Sequence, residues 1–543
     1  MKKRITLTAG MLAMLAGTAI ADVRSYDGSN NNLLNPTWGQ SGTVVIRGLS
    51  GAHYADGLSA MVSRANPRAV SNAVSVQTPA GLGNARNLSA MAWQWGQFID
   101  HDFALIDENP GDTIMMPMPA GDPFFDPGNT GTAVMPFSRS VCVDGVSTPR
   151  QQVSSITHWL DGSNVYGSDS ARAGALRSFS GGKLNTSAGD MLPYNTGGLP
   201  NAMGTSASFF VAGDVRSNEQ TGLTAMHTIF VREHNRLADQ IASANPSWSD
   251  EDIYQHARKL VGAEIQAVTY NEWLPAMMGG TAPGAYTGYN ASVDGRMSTA
   301  FSTAAFRIGH TMLNDQLLRF NEDGSVFAGG HLSLFQSFFT PSTIDTPAEL
   351  DAVVRGLALQ ASNEIDTQAI DGVRNLLFGP GMTRDLIALN IERGRDHGLP
   401  DYNTLRQDYG LTALVSFSQI TSNAALAQAL SDVYSGNIND VDPWIALMAE
   451  DHLPGSSMGE TLTAVFFDQF DRLRAGDRFY FLNDDELSQS EKDWLMGLRL
   501  SDIITANSGI ESIQANVFFI PAPSGAALLA LSGLAASSRR RRA

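Results

Sequence analysis

The sequence predicts a mainly α fold, a single large domain with long ordered loops and little β structure. Three observations carry this reading. The 543 residues have a globular composition, 43% hydrophobic and 17% charged, so a large core can be buried. Long segments space their apolar residues at helical intervals, whereas strand-like alternation is scarce. No stretch rich in Pro, Gly or Ser divides the chain after about residue 90. The same composition excludes disorder, collagen and coiled coil, and a single cysteine, Cys142, excludes an internal disulfide. Lys and Arg number 36 against 54 Asp and Glu, a net charge of −18. Lys2, Lys3, Arg4 and Arg539 to Arg542 lie at the two ends, so the stretch between is more acidic still. Nucleic acid is therefore disfavoured as a partner, and the acidity suits a soluble exported protein.

Taken in order, residues 1–21 read as a secretory signal: a basic start, an apolar run through Leu12 and Leu15, and Ala19-Ile20-Ala21 as a small-x-small cleavage site. Residues 22–87 are Gly- and Asn-rich with weak periodicity and read as an irregular arm. Helical spacing then marks Leu88 to Leu105, Leu223 to Ile241, Asp250 to Leu274, Ala300 to Leu313, Leu350 to Leu359 and Asp493 to Ala506, all inside one domain over 88–518. The tail, 519–543, joins Pro521-Ala522-Pro523-Ser524 to an apolar stretch from Gly525 to Ala536 and four arginines. That stretch is shorter than the roughly 20 residues a membrane helix needs.

Chemistry-bearing residues concentrate in five segments. In Trp95-Gly96-Gln97-Phe98-Ile99-Asp100-His101-Asp102, helical spacing puts Gln97, Asp100 and His101 on one face and turns Asp102 away. A His and a Gln on one pocket can move a proton and orient a small polar ligand, although a His-Asp pair is also what a satisfied polar feature looks like. Thr157-His158-Trp159-Leu160-Asp161-Gly162-Ser163 places hydroxyl, carbonyl and carboxylate oxygens in one loop, the hard-oxygen chemistry that suits Ca²⁺. Arg216 and Glu219, before a helix, can stabilise a departing oxygen and meet a cofactor, or simply form a cap. His310, beside Gly309 in an apolar segment, leaves room for a flat group, and neutral imidazole is an axial haem ligand. The amide oxygen of Asn390 could accept the other N–H of such a ligand.

In this order the segments resemble the animal-type haem peroxidases of the peroxidase-cyclooxygenase superfamily. Met135 to Ser140, Val165 to Ser168, Met226 to Thr228, Arg232 to Leu237, Trp273 to Pro275 and Gly476 to Phe479 extend the similarity from about Leu88 to Phe518. The resemblance implies haem, as haem b or linked by esters, and a bound Ca²⁺. It implies His101 as distal acid/base with Gln97 as its polar neighbour, Arg216 as catalytic arginine, and His310 as iron ligand anchored by Asn390. Arg307 and Arg393 match arginines near the haem propionates, and Asp100 and Glu219 match the carboxylates that become haem esters. Asp102, Thr157, Trp159 through its carbonyl, Asp161 and Ser163 match the calcium ligands. The activity implied is H₂O₂-driven oxidation of halide, pseudohalide or small phenolic donors through an oxyferryl haem, with a part in the response to oxidative stress.

Departures refine this expectation. Where some members carry a methionine bonded to haem as a sulfonium, this chain has Gln220, so that third link is expected to be absent. The radical-forming tyrosine of the cyclooxygenase branch is replaced by Arg307, which weighs against a fatty-acid dioxygenase. A non-catalytic calcium-binding matrix protein is disfavoured because every expected catalytic residue is present. The tail resembles bacterial PEP-CTERM sorting signals read by exosortases, with Pro-Ala-Pro in place of Pro-Glu-Pro. It points to the cell envelope or extracellular surface of a Gram-negative-type bacterium. The sequence leaves the oligomeric state and the physiological donor open.

Overall fold

The computed structural model describes residues 22–78, 83–377 and 384–521; the signal and most of the tail read from the sequence lie outside these. It is 41% helix and 9% strand. The principal helices are α1 (Pro67–Val74), α2 (Ala90–Phe103), α3 (Thr221–Ala244), α4 (Asp250–Val268), α5 (Thr299–Thr303), α6 (Gly309–Met312), α7 (Pro347–Leu359), α8 (Leu386–Asp396), α9 (Glu460–Ala475), α10 (Gln489–Gly497) and α11 (Leu500–Asn507). Among the described residues no helix is long and apolar enough to cross a membrane.

Helix α2 is buried nearly all round, from Ala90 to Trp95 and again at Phe98, Ile99 and His101 to Phe103. A helix apolar on every side belongs in a core, and α2 packs against α3, α6 and α7. Helices α3 and α4 form the longest packed pair, and α4 opens on a capping box between Ser249 and Asp252. At its end, Pro275 cannot donate to the ladder, and the turn before it widens into a π-helix over Thr269–Trp273 in which Leu274 N–H reaches the Thr269 carbonyl. The widened turn carries Trp273.

Two expected helices are broken. Ala300 to Leu313 divides into α5, a 3₁₀ turn at Ala305–Arg307 and α6. Gly309 favours helix poorly, and hydroxyls compete for partners: Thr303 Oγ1 meets His397 Nδ1 at 2.7 Å and Thr311 Oγ1 donates to the Ile308 carbonyl at 3.0 Å. Asp493 to Ala506 likewise divides after Gly497 into α10 and α11.

Strand structure is confined, among the described residues, to three two-stranded antiparallel sheets. The largest pairs β1 (Glu108–Pro117) with β2 (Val134–Ser140) in the register Ile114 opposite Phe137 and Met116 opposite Met135. Its inward side chains, Met116, Met135 and Phe137, form a small core with Ala388 of α8. The arm from residue 22 is irregular until α1, yet firmly attached. Arg47 donates to the carbonyls of His397 and Arg150, each at 2.7 Å, and Asn31 donates to Asp477 at 3.0 Å.

Candidate active site

The cavity within the helical core measures about 260 Å³. Its walls bring together Gln97, Asp100 and His101 from α2, Arg216, Glu219 and Gln220 from the turn before α3, and Arg307, Gly309 and His310 from the broken α5–α6 segment. Trp93, Trp273, Phe306 and Phe338 make much of the remaining surface apolar and flat. A Cβ built on Gly309 would meet nothing within 4 Å, so the space beside His310 is open.

His310 is fixed from behind. Its Nδ1 lies 3.2 Å from Asn390 Oδ1 and 2.9 Å from Asn390 Nδ2, and the same Oδ1 accepts from Arg307 Nη1 at 3.0 Å. The guanidinium can only donate, which identifies the amide oxygen; it can accept an Nδ1–H, whereas the amide nitrogen, closer to Nδ1, can donate to it in the other tautomer, and in both cases Asn390 sits behind Nδ1. Nε2 is then the nitrogen available to the cavity. Burial, reinforced by Arg307, holds the His310 imidazole down at about 3, so it is neutral. An apolar slot, open space beside a glycine and a neutral, back-bonded imidazole fit a haem.

Facing the same cavity, His101 is held well below its ordinary value by burial and by Arg216. Its Nε2 lies 3.8 Å from Glu219 Oε2 and its Nδ1 3.5 Å from Asp214 Oδ1. With a neutral imidazole neither contact is an ion pair. Asp214 binds Arg216 in a fork, Oδ1 accepting from Nε and Oδ2 from Nη2, both at 2.9 Å. Burial would raise Asp214, but Arg216 holds it well below the carboxylate range. Burial lifts Asp100 to about 6 and Glu219 to about 7, against the pull of Arg216. Gln220 folds back: its Nε2 donates to Gln97 Oε1 at 3.0 Å and to Gln94, and its Oε1 accepts from Gly222 N at 2.6 Å, capping α3.

Asp102 turns away, as the helical spacing requires. Its carboxylate accepts from the backbone of Asp161 at 2.9 Å, Gly162 at 3.1 Å and Asn164 at 3.1 Å, and from Ser163 Oγ at 3.1 Å. Thr157 Oγ1 donates to Asp161 Oδ1 at 3.2 Å. Burial and the Asp161 carboxylate push Asp102 up. Two buried carboxylates with hydroxyls beside them are the donor set of a hard cation. Among the described residues no cluster of three or more His, Cys, Asp or Glu is placed to hold a metal; Asp161 of this loop and Asp102 at the end of α2 make two. Arg393 lies off the cavity wall: it donates to Glu108 at 2.7 Å and Asp396 at 3.0 Å. The sequence reading did not single out Asp214, Trp273 or Phe338 for the site. Only Asp214 carried a signal, a carboxylate two residues before Arg216.

The profile of the animal haem peroxidase family matches residues 23–518, and the chain belongs to that family. Peroxinectin A of Dictyostelium discoideum is 33% identical over 519 residues, covering 92% of this chain and 96% of its own. The solved peroxidase A of the same organism superposes with a TM-score of 0.85 at 31% identity, covering 92% of this chain and 100% of that one. The fatty acid α-dioxygenase of Arabidopsis thaliana, at 20% identity, TM-score 0.74 and coverage of 92% and 84%, shares the fold alone. The protein is a haem-dependent oxidoreductase of the peroxidase class.

Proposed function

We propose that this protein is an exported peroxidase that uses H₂O₂ to oxidise halides, pseudohalides or small phenolic donors in the cavity shared by His101 and His310. The observation that carries the reading is that these two histidines, more than two hundred residues apart, line one apolar cavity with His310 anchored from behind by Asn390. Bound haem supplies the redox iron; the rest is done by this chain. His310 would hold the iron through Nε2. His101, kept neutral by burial, would take the peroxide proton and return it to the outer oxygen, while Arg216 offers positive charge to the oxygen that departs. Gln97, oriented by Gln220, would position the small ligand. Asp100 and Glu219 are the carboxyls available for ester links, and Arg307, with Arg393 behind it, would meet the propionates. Asp102, Thr157, Trp159, Asp161 and Ser163 would hold Ca²⁺. The leader and tail support export and exosortase-type sorting at a Gram-negative-type envelope.

The test is purification with haem, recording the Soret band and H₂O₂-dependent oxidation of bromide, iodide, thiocyanate and a phenol. His101→Ala is expected to keep haem and lose roughly 10²–10⁴-fold in oxidation rate, whereas His310→Ala changes the iron spectrum itself. Wild-type rates in either variant reject the reading.

A further inference from the structure

Buried polar atoms without partners are uncommon, and His101 Nδ1 is one of them. The nearest carboxylate to it is Asp214, 3.5 Å away, just beyond good hydrogen-bond length. Asp214 is 2% exposed and rigidly placed: its Oδ1 accepts from the Arg216 backbone N–H at 2.8 Å and from Arg216 Nε, and its own N–H donates to the Asn164 carbonyl at 3.0 Å. Asn164 is in turn tied to α2, donating from Nδ2 to the Phe98 carbonyl at 2.7 Å. One acceptor-only group therefore faces both working side chains of the distal wall, gripping the arginine and looking at the back of the histidine.

We infer that Asp214 is a positioning residue for the peroxide reaction: it selects the His101 tautomer with hydrogen on Nδ1, leaving the Nε2 lone pair toward the cavity, and it fixes Arg216 beside that lone pair. The inference deepens, and rests on, the haem peroxidase reading above. A carboxylate cannot donate, so an Nδ1–H is the only form of neutral His101 that gains from Asp214. When Nε2 accepts a proton, the imidazolium acquires its counter-charge at the back of the ring, and the 3.5 Å contact is placed to shorten. Apo geometry of this kind is commonly long until the proton moves. The arrangement has the logic of a base held in one tautomer by a buried acid that itself stays ionised. The same carboxylate neutralises Arg216, so the distal wall holds a cation without repelling the one formed on His101.

The experiment uses cyanide binding to the ferric holoprotein, followed by its Soret shift. Hydrogen cyanide gives its proton to the distal base as the anion binds iron, so its association rate reports that base without turnover. Asp214→Asn is expected to retain haem with the wild-type Soret band, to melt somewhat lower because Arg216 loses its counter-charge, and to bind cyanide roughly 10²-fold more slowly. In a His101→Ala background the same substitution is expected to change the rate by severalfold at most, the part that runs through Arg216, because the tautomer effect is gone with the histidine. Asp214→Glu displaces the carboxylate by one methylene and carries the same double-mutant cycle if the amide variant does not load haem. Association within about twofold of wild type in the single variants overturns the proposal, and so does an equal loss with His101 already removed. A wild-type protein whose Soret band ignores cyanide would instead refute the haem reading on which this rests.

Discussion

At residue scale the site is a set of buried polar groups whose neighbours decide their protonation. Glu219 is pushed up to about 7 by burial, with Arg216 only partly opposing. Between the ordinary glutamate value of about 4.3 and that point, the folded apoprotein binds more protons than the unfolded chain, so this group lowers stability as pH rises. Glu219→Gln removes the effect. Its melting temperature is expected to match wild type near pH 4 and to exceed it by a margin that grows up to about pH 7 and then levels. Thermal melts of the apoproteins across that range check this, and a margin independent of pH contradicts it. Gln220 poses a different question, since a side chain at this position both caps α3 and holds Gln97. Gln220→Ala is expected to cost about 1 kcal/mol in denaturant unfolding through the lost cap. It should also slow peroxide-dependent oxidation severalfold through a loosened Gln97; unchanged kinetics would mean that Gln97 needs no second anchor.

At the scale of elements, what the sequence disclosed depended on whether the signal was local. Trp95 to Asp102 was legible because one regular helix fixes where Gln97, Asp100, His101 and Asp102 point, and α2 keeps that geometry. The segment around His310 was not: its apolar spacing reads as one helix, but Gly309 and the tertiary partners of Thr303 break it into three turns. Asp214 offered in sequence only its nearness to Arg216, because its other partner, His101, is more than a hundred positions away. The hairpin of β1 and β2 was missed because its strand alternation is short and one edge is exposed. The loop from Thr157 to Ser163 closes on Asp102. Asp102 and Asp161 are buried together, and each is pushed up by burial. Because Asp102 follows His101 directly, the loop that binds it also fixes the distal helix end. Chelation is expected to lower the melting temperature and the oxidation rate together, with Ca²⁺ restoring both and Mg²⁺ failing to, since Mg²⁺ demands a stricter octahedron. Melting and activity unmoved by chelator would remove calcium from this loop.

At the scale of the whole molecule, one cysteine means that no internal disulfide closes the chain, and closure falls to buried polar ties between its distant parts. Asp477 is the clearest of these. It is 2% exposed, and it accepts from Arg24 Nη2 at 2.6 Å, Asn31 Nδ2 at 3.0 Å and Gln266 Nε2 at 3.1 Å, joining the start of the described chain, α4 and the turn after α9. Arg24 is itself part-buried, and although burial works against its charge, Asp477 keeps it ionised, with Asp161 and Asp484 contributing less. Removing the acid strips that guanidinium of its nearest counter-charge, a loss of about 3 kcal/mol. Asp477→Ala is therefore expected to lower unfolding stability by that amount and to make the arm before α1 the first site of limited proteolysis. Arg24→Ala should cost less, because Asn31 and Gln266 still satisfy the carboxylate. Combining the two should cost little more than Asp477→Ala alone, since both report one tie. Denaturant titration of the three variants decides it: strictly additive losses would show that the arm and the turn after α9 are held independently, and that closure of the molecule lies elsewhere in the core.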